Sequence, residues 1–151
     1  MAVLSIVLPA YNEEQNVRNT VEVLSGLLEE NQIEYELVFI SDGSRDATFS
    51  EIQKAVKANP HIRGAEFSRN FGKEAAIFAG LELAGGDAVI VMDCDLQHPP
   101  SVIPQMWKLW QEGAEVVEGI KQSRGKEGLG YKLSAGLFYK VMSKLIKIDM
   151  N

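Results

Sequence analysis

Asp93 and Asp95 stand on either side of Cys94, directly after the apolar run of residues 88–92. In an extended strand alternate side chains point the same way, so the two carboxylates emerge together and Cys94 faces the opposite side. Like charges so placed repel each other unless a cation lies between them. Mg²⁺ or Mn²⁺, hard ions that favour oxygen ligands and bind diphosphates, would supply that cation. Gln97 and His98 follow closely enough to add a ligand or a hydrogen-bond donor. The architectural alternative is that Asp93 closes a turn and Asp95 caps a helix beginning near Pro99-Pro100. The tripeptide alone leaves both readings open.

Three other polar clusters carry comparable options. Asp42-Gly43-Ser44 can hold a nucleobase or ribose through the carboxylate, or can be a turn leading into a helix. Tyr11-Asn12-Glu13 offers an aromatic face and a carboxylate for a base edge, or the acidic first turn of a helix. Arg69 and Lys73 flank Asn70-Phe71-Gly72, where either cation can meet a diphosphate beside a helix N-terminus or lie in solvent. His61 has no metal-ligand spacing to His98. Cys94 reads as a small core residue rather than a nucleophile. No Ser/His/Asp or Cys/His set stands out.

The elements that must position these residues alternate along the chain. Apolar runs at residues 3–8, 35–40, 62–67 and 88–92 predict strands. Helical spacing predicts helices over 13–28, from a cap at Asp46 to about 59, over 73–84 and over 101–111. Val17, Val21, Leu24, Leu27 and Leu28 form the apolar face of the first helix. A further strand is predicted at 115–118, then a polar glycine-rich stretch over 119–130 and a last helix over 131–147. Strands separated by helices of this length imply βαβ crossovers, hence an α/β fold with a mainly parallel sheet covered on both faces. The clusters beginning at Pro9, Asp42 and Asp93 all follow strands. In an open α/β sheet the carboxyl ends of the strands line one crevice, so the three are predicted to converge.

Composition sets the outer bounds. At 151 residues, with 46% hydrophobic and 24% charged residues, the chain fits one soluble globular domain with a real core. No apolar run reaches the roughly 18–20 residues that span a bilayer, and no secretory leader is read at the N-terminus. The single cysteine excludes an intrachain disulfide and suits a reducing, cytosolic setting. The net charge of −6 conceals an asymmetry. Residues 120–151 hold seven Lys/Arg against two acidic residues, while the rest hold eight against nineteen. A basic tail on an acidic body suits an anionic partner such as phosphate or a membrane surface. In the last predicted helix Lys140, Lys144 and Lys147 share one side, with Phe138, Met142, Leu145 and Ile146 around the other. Such a helix can lie at a membrane interface or pack on the sheet with its lysines in water.

Four segments, in order, carry a resemblance over nearly the whole chain: Leu8-Pro9-Ala10-Tyr11-Asn12-Glu13-Glu14, Ser41-Asp42-Gly43-Ser44-Arg45-Asp46, Ser68-Arg69-Asn70-Phe71-Gly72-Lys73-Glu74 and Met92-Asp93-Cys94-Asp95-Leu96-Gln97-His98-Pro99-Pro100. Together they resemble the family-2 glycosyltransferases of Rossmann-like GT-A fold. The Arg-Asn-Phe-Gly-Lys and Asp-Leu-Gln-His-Pro-Pro pieces are similar to the polyprenyl-phosphate, dolichol-phosphate-mannose-synthase-like branch. The resemblance implies that Pro9, Ala10, Tyr11, Glu13 and Asp42 surround the nucleotide base and ribose, and that Lys73 lies near the donor phosphates. It implies that Asp93, Asp95 and Gln97 form the group that binds Mg²⁺ or Mn²⁺, with Asp95 and Gln97 favoured as its direct ligands and Asp93 and Asp95 the catalytic carboxylates. Lys121 and Arg124 fall where the family directs basic residues toward phosphate.

The implied reaction is inverting transfer of a sugar from a UDP- or GDP-sugar to a polyprenyl phosphate at the cytoplasmic face of the membrane. A phosphate acceptor is already anionic and needs no strong general base. Residues 1–151 then form the N-terminal catalytic part of a longer chain, whose acceptor-side segment and transmembrane helices lie beyond it. Nucleic acid is not an expected partner, and homo-oligomerisation is left open. The rival readings are a family-2 transferase with a polysaccharide or other soluble acceptor, and a non-catalytic nucleotide-binding module.

Overall fold

The computed structural model describes residues 2–119. Four strands, β1 (Val3–Ala10), β2 (Glu34–Ser41), β3 (Ile62–Glu66) and β4 (Ala88–Val91), form one sheet in the order β3-β2-β1-β4. Every pairing is parallel. The crossovers are α1 (Val17–Glu30), α2 (Thr48–Ala58) and α3 (Lys73–Leu83), and α4 (Ile103–Gln111) follows β4 after a 3-10 turn at Pro100–Val102.

Side-chain alternation along β1 and β2 divides the core in two. Leu4, Ile6 and Leu8 with Tyr35, Leu37 and Phe39 pack under Val17, Leu24 and Leu28 of α1, Ile52 of α2, and Ile103 and Trp107 of α4. Val7, Val38 and Ile40 face the other way and meet Ala76 of α3. Fully burying a side chain such as Phe39 or Leu37 contributes about 1.5–3 kcal/mol. Helices therefore cover both faces of a parallel sheet, as the alternation predicts.

Strand β1 outruns its apolar stretch and ends in Pro9-Ala10. The Val3 and Val7 carbonyls accept the Asp87 and Met92 N–H groups, so odd-numbered residues of β1 bond toward β4. Pairing with β4 has stopped at Val7↔Val91, so the N–H that Pro9 lacks is not missed. The chain leaves β1 toward β2 and β3, then returns to place β4 on the opposite side of β1. That reversal between β1 and β4 is a topological switch point, where strand ends splay and leave a crevice.

Two expectations change. The first helix begins at Val17 rather than at residue 13, because the Glu13 carbonyl already accepts the Asn16 and Val17 N–H groups in a preceding turn. The strand predicted at 115–118 does not form: residues 116–119 have no regular structure and Val116 is 87% exposed. Two valines between glutamates favour a strand only where a neighbouring strand receives them, and none does among the described residues.

Candidate active site

At the switch point a cleft of about 440 Å³ is lined by Pro9, Ala10, Tyr11, Glu13, Asp42, Asn70, Gly72, Lys73, Ala76 and the tripeptide Asp93-Cys94-Asp95. Residues from three strand ends and one helix start thus meet in one place. The three polar clusters that the sequence sets after strands do converge.

The floor is built by backbone loops stitched together. Asn12 adopts a left-handed conformation, φ 56°, which asparagine tolerates better than most residues. Its N–H donates to Ser44 Oγ at 3.1 Å, and its Oδ1 accepts the Arg45 N–H at 2.9 Å. The Glu13 N–H donates to Thr48 Oγ1, and Glu14 Oε2 accepts the Ala47 N–H. Asp46 stands one residue before the N-cap position of α2, which Ala47 occupies. Its carboxylate takes the Thr48 N–H and hydroxyl and the Glu14 N–H. Loss of hydration works against the charged form, but these donors together outweigh it and hold Asp46 below the usual aspartate range.

Asp42 is only 3% exposed. Its two carboxylate oxygens accept the Phe71 N–H at 2.7 Å and the Gly72 N–H at 3.0 Å. The carboxylate therefore fixes the loop of residues 68–72, while still contributing to the cleft wall. Gly43, φ 61°, makes the approach of this loop feasible: a Cβ there would lie 2.2 Å from the Arg69 carbonyl carbon. Arg69 is not in the cleft lining; its guanidinium sits 4.7 Å from the centroid of the Phe71 ring.

The fixed loop starts α3 at Lys73, whose ammonium lies 2.5 Å from Asp93 Oδ1. Asp95 Oδ1 accepts the Gln97 N–H at 3.0 Å in an Asx turn, so neither aspartate caps the following helix. Leu96 closes this turn in the left-handed region at φ 56°, a conformation that costs a residue of its type about 1–3 kcal/mol. Such a turn persists only where its surroundings over-determine it. Cys94 is buried between the two carboxylates, and burial, with some help from neighbouring acidic groups, pushes its thiol up to about 11. It remains a neutral core thiol.

Among the described residues no three His, Cys, Asp or Glu side chains gather as a metal cage. The cleft is lined by the carboxylates of Asp93 and Asp95 beside Lys73, with those of Glu13 and Asp42 elsewhere on its wall. That set suits an ion which keeps open positions for phosphate oxygens, as Mg²⁺-type sites do.

The sequence matches Glycosyl transferase family 2 over residues 5–149. The chain belongs to this family.

A bactoprenol glucosyl transferase of Shigella phage SfV is 42% identical over 150 residues, 98% of this chain and 49% of that one. An uncharacterized glycosyltransferase of Bacillus subtilis (strain 168) is 38% identical over 146 residues, 97% of this chain and 45% of that one. The chain thus spans about half the length of these relatives. Among solved structures, glucosyl-3-phosphoglycerate synthase from Mycobacterium tuberculosis in complex with Mn²⁺, UDP-glucose and phosphoglyceric acid superposes with a TM-score of 0.58 at 25% identity. The superposition covers 74% of this chain and 40% of that one. The fold is the GT-A fold.

Within this family member, Pro9, Ala10, Tyr11, Glu13, Asp42, Lys73, Asp93 and Asp95 share the cleft. Gln97 is exposed and outside the lining, and Lys121 and Arg124 lie outside the described residues. The basic helix expected over 131–147 lies outside them too. Asn12, Glu14, Asp46 and Thr48, which hold the floor, carry no chemical signal of their own. Their Asn, Asp and Thr types signal only turns and helix starts.

Proposed function

We propose that the cleft binds the nucleotide-diphosphate part of a sugar donor and that the full-length protein passes the sugar to a polyprenyl phosphate, with inversion. The observation that carries this reading is the meeting of Asp93, Asp95 and Lys73 with Tyr11 and Glu13 at the β1/β4 switch point. Tyr11 is part-exposed on the cleft wall and offers a ring face to a base. Glu13 accepts the Asn16 amide through Oε2, which leaves Oε1 for a base or ribose donor. Asp93 and Asp95 would hold Mg²⁺ or Mn²⁺, with Gln97 as a further candidate ligand. When bound, that ion stabilises negative charge developing on the diphosphate leaving group.

Lys73 adds a second positive charge at the same place, so the chain's contribution is chiefly electrostatic. A phosphate oxygen of the acceptor forms the new bond to the anomeric carbon as the bond from that carbon to the diphosphate oxygen breaks. The electron pair leaves with the nucleoside diphosphate. Bactoprenol is a polyprenyl lipid, and the phage relative's name supports a lipid acceptor; its phosphate head and the cytoplasmic face of the membrane belong to the proposal. No helix among the described residues is long and apolar enough to cross a membrane.

A thermal-shift panel of UDP- and GDP-sugars with and without Mn²⁺, on wild type and Asp95→Asn, tests the donor site. The expected result is metal-dependent stabilisation by one nucleotide class, lost in D95N. Equal stabilisation of both proteins overturns the metal assignment. Transfer of labelled sugar to polyprenyl phosphate in liposomes tests the acceptor.

A further inference from the structure

Thr20 lies on the buried face of α1 among Val17, Leu24 and Leu28, with no exposed surface. A threonine inside a helix commonly turns its hydroxyl back to the carbonyl four residues earlier. Here that carbonyl, Asn16 O, accepts the Thr20 N–H, while the Thr20 hydroxyl donates at 2.5 Å to the carbonyl of Cys94, 74 residues away. The Cys94 Sγ sits 3.8 Å from the same Oγ1 and donates weakly to it. One hydroxyl therefore holds both the backbone and the side chain of the residue between the two carboxylates. The Cys94 carbonyl takes no other hydrogen bond among the described residues.

Two features make this contact more than filling. The turn it holds includes Leu96 in a left-handed conformation, which needs fixing from outside. The turn leading into α1 also holds the other side of the cleft: Asn16, the residue that precedes the helix, donates through Nδ2 to Glu13 Oε2 and through its N–H to the Glu13 carbonyl. The stretch from Asn16 to Thr20 thus fixes Glu13 at its start and Cys94 at its end.

We infer that Thr20 is a positioning residue for the donor site, setting through its hydrogen bond to Cys94 the orientation in which Asp93 and Asp95 face the cleft. The inference rests on the proposed role of those aspartates in holding a divalent cation. Thr20 touches neither cation nor donor. It acts as an outer partner that aims the ligands, and loss of such partners commonly weakens metal affinity about 10- to 100-fold.

The test titrates the full chain with UDP and with GDP, each with and without Mn²⁺, by calorimetry in wild type, Thr20→Val, Thr20→Ser and D95N. The expected result is that T20V loses about tenfold of the Mn²⁺-dependent gain in nucleotide affinity. Metal-free affinity should hold, and T20S should restore the gain. Hydrogen exchange without metal should quicken at the amides of Leu96 and Gln97 in T20V. Should T20V not accumulate as folded protein, Thr20→Ala removes the same hydroxyl without setting a methyl against the Cys94 carbonyl. A wild-type gain that D95N abolishes and T20V or T20A keeps in full overturns the role of Thr20 and leaves the donor site standing. No Mn²⁺-dependent gain in wild type overturns the donor site and the role of Thr20 together.

Discussion

The Lys73 ammonium and the Asp93 carboxylate form an ion pair that joins the start of α3 to the segment just past β4. Both side chains remain partly exposed, so the pair contributes only about 0–1 kcal/mol to stability. Its importance is that it places a cation beside the two aspartates. Lys73→Met is therefore expected to leave the melting temperature nearly unchanged while weakening binding of a nucleoside diphosphate about tenfold, the loss of one charge-assisted hydrogen bond. Calorimetric titration alongside a thermal melt separates the two effects.

Asp42 gives the opposite pattern. Asp42→Ala leaves the Phe71 and Gly72 N–H groups without their buried acceptor and is expected to cost about 3 kcal/mol. Asp42→Asn keeps one carbonyl acceptor and should fall between Ala and wild type. Urea unfolding of the three proteins gives the order. An alanine variant as stable as wild type would mean that the loop of residues 68–72 does not depend on this carboxylate.

Gly43 faces backbone rather than a flexible side chain. An added Cβ would lie 2.2 Å from the Arg69 carbonyl carbon and 2.5 Å from the Asn70 nitrogen, at a φ of 61°. Gly43→Ala must move the loop away, at an expected cost of at least about 2 kcal/mol. Because that loop launches Lys73, nucleotide affinity should drop as well. Stability and titration on the same sample check both.

At the other end of the sheet, Glu36 gathers the Ser5 hydroxyl, the Gly85 N–H and Arg63. Burial opposes its charged form, but the backbone, hydroxyl and guanidinium donors together hold it below the usual glutamate range. Its folded pKa is thus lower than its unfolded one. In the window between them the unfolded chain binds more protons, so stability rises with pH. The contribution is present above the unfolded value, about pH 4.3, and is lost as pH falls through the folded value. Glu36→Gln should flatten the acid limb of a stability–pH curve while leaving donor binding at neutral pH untouched. An unchanged acid limb would assign the acid sensitivity to other groups.

Asp93, Asp95 and the alternation of apolar runs with helical spacing were legible from the sequence alone. Period and turn chemistry are local properties, so they settled the four strands, the helices between them and the placement of Tyr11, Glu13, Asp42 and Asp93 after strand ends. Local properties do not choose partners. The order β3-β2-β1-β4, and with it the switch point, depends on which backbones pair across the sheet. The valines near residue 116 had strand-forming types but found no pairing partner among the described residues. Asp42 had the right type for a ribose and lies in the cleft lining, but only the fold shows that two amides of a loop some thirty residues away also meet its oxygens. Thr20 carried no signal at all, because a threonine on an apolar helix face becomes informative only when the tertiary structure sets a buried carbonyl against its hydroxyl.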